Sequence, residues 1–159
     1  MASAPYVEAW LPGYDEHQFY TRTWPAVSPK AVMIYVHGLG DHISRYDHVH
    51  VRWPKRGITL FAYDLRGYGK TALDKEHRSP GASYGKTNRE LEIKDVEWWI
   101  EYVAKEYPGL PIFLMGYSAV RTTLSWFCFI DACTSRVGGW PWRSQRGGMR
   151  HPTRKLSPN

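Results

Sequence analysis

The sequence predicts an α/β fold: a mostly parallel sheet carrying an N-terminal antiparallel hairpin. Three observations lead there. Short, largely apolar runs at 31–36, 58–63 and 111–115, the last of them uninterrupted, have the length and composition of strands buried on both faces. A long amphipathic helical pattern separates the second run from the third. The third run feeds directly into Gly116-Tyr117-Ser118-Ala119, a strand followed by a tight turn that holds a serine.

The hairpin is read from residues 6–11 and 18–24, rich in aromatics and separated by the turn chemistry of Pro12-Gly13-Tyr14-Asp15. The run 31–36 then empties into His37-Gly38-Leu39-Gly40-Asp41-His42. Two glycines one residue apart, just past a strand end, let the backbone turn its N–H groups toward an anion. The same loop also reads as an ordinary Gly-rich connection with a surface histidine. His42, His48 and His50 lack supporting Cys or carboxylate spacing for a metal, so no metal site is expected. They are read as solvated or hydrogen-bonded. Residues 45–56 should be helical with Tyr46, Val49 and Trp53 inward, and Pro54 should break that helix near Trp53.

The run 58–63 ends in Asp64-Leu65-Arg66-Gly67-Tyr68-Gly69-Lys70-Thr71. This resembles a phosphate-binding loop only at its end, because Asp64 stands where that motif needs its first glycine. A tight turn, fixed by its glycines and an Asp64–Arg66 pair, is the better reading. After a loop over 72–85, Thr87 and Glu90 form a capping box for a helix reaching Tyr107. Val96, Trp99, Ile100, Val103 and Tyr107 form its inward stripe, and Glu92, Lys94, Glu97, Glu101 and Lys105 face water. Trp98 and Trp99 read as core aromatics rather than a binding platform.

Composition bounds the function. The chain has 159 residues, 43% apolar and 23% charged, which is globular rather than disordered. No apolar run reaches the roughly 18 residues of a membrane span. The first residues lack the basic and apolar regions of a signal peptide, so an intracellular protein is expected. Cys128 and Cys133 have neither metal nor redox spacing, and no cofactor is implied. The net charge of +6 is localised: residues 1–120 balance, whereas 121–159 hold seven cations against Asp131 alone.

The order of hairpin, strand, H-G-x-G loop, helix, strand, D-x-R-G-x-G turn, helix, strand and G-x-S resembles the α/β-hydrolase fold. Within that fold it is similar to the monoacylglycerol lipase and serine-aminopeptidase branch, over about residues 5–119. The resemblance implies Ser118 as nucleophile on a strained elbow, with the backbone N–H groups of Leu39 and Ala119 forming an oxyanion hole. His37, Gly38, Gly40, Gly116 and Tyr117 support that motif set. The implied reaction is ester hydrolysis through an acyl-serine, on monoacylglycerol or another small ester. The resemblance also implies a cytoplasmic location and allows peripheral contact with membranes or lipid droplets.

Two departures qualify this. The elbow pattern G-x-S-x-G calls for a second glycine at position 120, which is Val120. The later acid and base are also not evident. Asp131 and His151 come in the right order, but no βαβ units carry them to the serine. The expectation is therefore a partial α/β-hydrolase domain over 5–119, truncated after the elbow and catalytically incomplete. Strand 111–115 would then lie at an open sheet edge, prone to aggregation and to chaperone capture. Residues 120–159 read as a divergent basic tail, disordered and arising from a frameshift, retained intron or alternative splice. The alternatives are an active esterase with an unrecognised acid and base, and a nucleic-acid-binding protein using that tail. Nucleic acid is not the expected partner, since the tail's charges are scattered and no recognition module is present.

Overall fold

The computed structural model describes residues 4–117 and 129–130. The strands are β1 (Val7–Pro12), β2 (Gln18–Trp24), β3 (Ala31–Val36), β4 (Ile58–Tyr63), β5 (Ile112–Gly116) and β6 (Phe129–Ile130). The helices are α1 (Asp47–His50), α2 (Gly69–Leu73) and α3 (Arg89–Glu106). The sheet runs in the order β1-β2-β4-β3-β5-β6. β3 lies parallel to both β4 and β5, while β2 is antiparallel to β1 and β4. The hairpin and the parallel core therefore match the apolar runs and the turn chemistry.

Strand alternation divides the core between the two faces. Val32, Ile34 and Val36 of β3 join Phe61 and Tyr63 of β4 beneath Val96, Trp99 and Val103 of α3. Met33, Tyr35, Leu60 and Ala62 point the other way and pack with Tyr20, Trp24 and Ile43. All six residues of β3 are buried, since it has a strand on each side and a covered surface on each face.

Several expectations need correction. Strand β5 is not a bare edge: β6 pairs with it antiparallel, through Ile112↔Ile130 and Phe113↔Phe129. Residues 45–56 do not form one helix. A 3-10 turn at Ile43–Tyr46, the short α1 and a second 3-10 turn at Pro54–Arg56 follow one another. The inward side chain is His50 rather than Val49, which is 38% exposed. The cap of α3 is Asn88, whose carboxamide oxygen accepts the Leu91 N–H at 3.0 Å, one residue beyond Thr87. The helix ends at Glu106, with Tyr107 as its C-cap. Its inward stripe is as read, with Val96, Trp99 and Val103 buried and Ile100 and Tyr107 partly so. Trp99 is core, and Trp98 is partly buried with its indole N–H on the Pro12 carbonyl at 3.2 Å.

The turn after β4 is structural, but Asp64 and Arg66 are not partners. The Asp64 carboxylate accepts the backbone N–H groups of Ile43 and Lys70, at 2.8 and 2.7 Å. It thereby joins the end of β4 to the start of two helical turns. Gly69 stands at φ 51°, and a side chain there would run into that carboxylate. Arg66 reaches the other way, to Asp95 of α3 at 2.7 Å and to Asp15 of the hairpin turn at 2.9 Å.

Candidate active site

The register of β3 and β5 brings the two sequence motifs together. Val36 pairs with Gly116, and the Tyr117 N–H donates to the Val36 carbonyl at 3.2 Å. The chain thus approaches Ser118 directly beside the start of the His37–Gly38–Leu39 loop. Ser118 and Ala119 themselves lie outside the described residues, as do Val120, Asp131 and His151. Gly116 and Tyr117 are exposed at the end of β5.

His37 is wholly buried rather than a surface residue. Its Nδ1 lies 2.8 Å from the Gly38 carbonyl, and its Nε2 accepts the Leu65 N–H at 2.8 Å. A ring nitrogen that accepts an N–H carries no proton, so Nδ1–H is the donor and the ring is neutral. Burial holds its pKa below the ordinary histidine value, against the smaller pull of the Gly38 carbonyl and the nearby Asp64 carboxylate. Both nitrogens are committed to backbone groups, so His37 acts as a clamp between the ends of β3 and β4.

Beyond that clamp the loop turns outward. Gly40 has φ 73°, in the left-handed region that glycine adopts at little cost. Leu39 is 54% exposed, and its N–H donates to no group among the described residues. Asp41 then fastens the loop to the body. Its N–H donates to the Gly38 carbonyl at 3.2 Å, and its carboxylate accepts the Tyr46 hydroxyl at 2.6 Å and the His42 N–H at 2.9 Å. Arg45 sits 3.4 Å away. Burial alone would raise the Asp41 carboxyl, but these donors outweigh it and hold the pKa below the usual value.

Tyr46 in turn packs against Tyr35 of β3, with ring centroids 5.1 Å apart, and faces Tyr117 at 6.3 Å. The Asp41–Tyr46–Tyr35 chain was not read from the sequence. The available signal was Tyr46 on the inward face of 45–56, five residues from an acidic loop residue. His50 completes the layer. It is 1% exposed, neither ring nitrogen has a partner, and Trp24, Tyr35 and Tyr46 surround it. His42 and His48 are exposed, so of the three only His50 departs from the expected solvated or hydrogen-bonded state. Among the described residues no group of three His, Cys, Asp or Glu side chains could hold a metal ion, and no helix is long and apolar enough to cross a membrane.

Comparison with known proteins agrees with this arrangement. The serine aminopeptidase S33 family matches residues 27–119. The human monoglyceride lipase is 30% identical over 118 residues, covering 73% of this chain and 36% of the relative. A monoglyceride lipase homolog of monkeypox virus is 30% identical over 109 residues, covering 68% and 37% respectively. A soluble variant of the Saccharomyces cerevisiae monoglyceride lipase, solved with a substrate analog, superposes with a TM-score of 0.59 at 26% identity. That superposition covers 74% of this chain and 39% of the other. The chain thus spans little more than a third of the length of these relatives. With the motif order, the register at Gly116 and the family match in agreement, the chain belongs to the serine aminopeptidase S33 family and has an α/β-hydrolase fold of the monoglyceride lipase type.

Proposed function

We propose that the chain carries the nucleophile side of a serine ester hydrolase acting on monoacylglycerol-type esters, and that these 159 residues alone do not complete its catalytic machinery. The observation that carries the first half is the Val36↔Gly116 register beside an exposed loop whose Leu39 N–H is free among the described residues. In this reading Ser118 attacks the ester carbonyl. The Leu39 and Ala119 amides then take the developing oxyanion, which a preorganised donor stabilises most where charge builds up. The relatives named monoglyceride lipase supply the substrate class.

The second half rests on the proton. A serine hydroxyl is a weak nucleophile until a positioned base accepts its hydrogen. Both His37 nitrogens are occupied, and His50 is sealed among aromatic rings. Neither is available to Ser118. Val120 adds a smaller defect, since a branched side chain where the elbow needs glycine would displace the Ala119 amide. Losing one oxyanion donor typically costs about 10²–10³ in rate.

The test uses p-nitrophenyl esters and a fluorophosphonate probe on the purified chain, its Val120→Gly form and its Ser118→Ala form. All three should hydrolyse alike, with no labelling at Ser118. Turnover by either of the first two well above the Ser118→Ala control would show that a base is present and overturn the incompleteness. His151 would then be the first residue to replace.

A further inference from the structure

The side-chain layer that supports the candidate site holds one titratable group with no part in the ester chemistry. His50, the last residue of α1, is buried among three rings. Between ring centroids, Trp24 of β2 is 4.7 Å away, Tyr35 of β3 4.6 Å and Tyr46 of the preceding turn 5.9 Å. Tyr46 is stacked on the imidazole, with 30° between the planes. Neither imidazole nitrogen is bonded among the described residues, so no acceptor there compensates an added proton. Tyr46 also has a second attachment. Its hydroxyl donates to Asp41 at 2.6 Å, and the Asp41 N–H donates to the Gly38 carbonyl at 3.2 Å. The ring that walls in His50 therefore fastens the loop carrying Leu39.

The charges around His50 favour its neutral form. Arg22 of β2 adds a like charge, although Glu8 of β1 and Asp47 of α1 both pair with it. His48, exposed on α1, acts in the same direction. Tyr35 and Tyr46 stay protonated, since burial raises both hydroxyls. Asp41 is held ionised below its usual pKa, but it is bonded to the far end of Tyr46 rather than to His50. Asp64, whose carboxylate takes the Ile43 N–H, is raised by burial and faces His37. Burial first, then the His48 and Arg22 charges, hold the pKa of His50 down at about 4. An imidazole turned out to water titrates near 6.5.

We propose that His50 and Tyr46 form an acid-released latch on the loop 37–42. With His50 neutral, the packed Tyr46 ring keeps Asp41, and with it the Leu39 N–H, in place. With His50 protonated, the turns over 43–53 open and let that loop go. The sign follows from where the proton is held better. The open form exposes the imidazole and binds the proton more tightly, so it gains on the closed form as pH falls from about 6.5 to about 4. Helix α3 packs in the other core layer, with Val96, Trp99 and Val103, and is not part of the latch. The purpose of the device rests on the ester-hydrolase reading, since release would take apart the oxyanion side of the site in mildly acidic surroundings. The latch itself requires no turnover.

The test is amide hydrogen exchange of the full chain, read residue by residue by NMR at about pH 7 and about pH 5 and corrected for the intrinsic pH dependence of exchange. With pKa values of about 4 closed and about 6.5 open, opening should rise about twentyfold between these conditions. The N–H groups of Asp41, His42, Ile43 and Trp53 are all bonded in the closed form and should show the rise together. Val96, Trp99 and Val103 of α3 should not. His50→Leu and His50→Phe do not titrate and should abolish the rise, with thermal melts confirming that they fold. His42→Gln/His48→Gln should keep it, which separates His50 from the exposed imidazoles. Tyr46→Phe retains the ring and loses the hydroxyl, so Asp41 and His42 should exchange faster at both pH values while Trp53 still responds. Should both His50 variants fail to fold, the Tyr46→Phe arm and the titration of the His50 ring signals in the parent decide the matter. An equal rise in α3, a rise that survives either His50 replacement, a rise over 43–53 that leaves Asp41 and His42 protected, or a His50 ring titrating above about 6.5, as an imidazolium held by the ring faces would, would each overturn the proposal. Because the readout is exchange, an inactive Ser118 leaves the result intact.

Discussion

The His50 imidazole meets the Trp24 indole edge-on, with ring centroids 4.7 Å apart, and neither imidazole nitrogen is bonded. Burial, with the nearby His48 and Arg22 charges adding to it, pushes the His50 pKa down to about 4. The unfolded chain would take up this proton near pH 6.5. Between these values the unfolded state binds more protons than the folded one, so stability falls as pH drops from about 6.5 to about 4. The full effect is about 3 kcal/mol. Urea melts across that range should show the loss, and His50→Leu should flatten it. An unchanged slope in the variant would assign the acid sensitivity elsewhere.

Replacing His37 should destabilise the domain rather than alter proton transfer. His37→Leu leaves the buried Leu65 N–H without its acceptor and leaves the Gly38 carbonyl with the Asp41 N–H as its remaining donor. An unsatisfied buried donor costs about 1–3 kcal/mol, with the lost bond to Gly38 adding to it. A denaturant midpoint lowered to match is expected. A midpoint equal to the parent's would mean the clamp carries no load.

Arg66 joins three elements through Asp15 and Asp95, and Asp95 is fully buried. Asp95→Ala leaves Arg66 with Asp15 as its carboxylate partner, so it should cost less than the about 3–5 kcal/mol of a fully unpaired buried charge, and more than the loss of one ordinary hydrogen bond, about 1 kcal/mol. Replacing both ends, Arg66→Met with Asp95→Leu, should cost less than the single change. Chemical denaturation of the pair and the singles closes the comparison.

Gly69 is the position least able to accept a side chain. At φ 51°, a methyl group would meet the Asp64 carboxylate that caps Ile43 and Lys70. Gly69→Ala should therefore cost about 1–3 kcal/mol, in the range of a strained left-handed residue. Gly85→Ala is the control, since nothing lies within 4 Å of that site and only its φ of 73° is at issue. A smaller loss there, by thermal melt, isolates the contact with Asp64.

Local signals determined much of this protein. Largely apolar runs marked β3, β4 and β5, turn chemistry marked the hairpin, and a 3.6-residue period marked the inner face of α3. The motif order and the residues beside it were enough to identify the family. These are short-range properties, written in windows of four to eighteen residues. What required the tertiary structure was pairing at a distance. His37 finds Leu65 28 residues away, Arg66 finds Asp95 29 residues away and Asp15 51 residues away, and none of these distances has a local period. Asp64 and Arg66 looked like partners because they are neighbours in sequence, yet the turn sends one toward Ile43 and Lys70 and the other toward α3. Propensity could not place His50 either, because an imidazole is at home both in water and among aromatic rings. Only the rings of Trp24, Tyr35 and Tyr46, brought together from β2, β3 and the turn before α1, decide that it is buried and neutral.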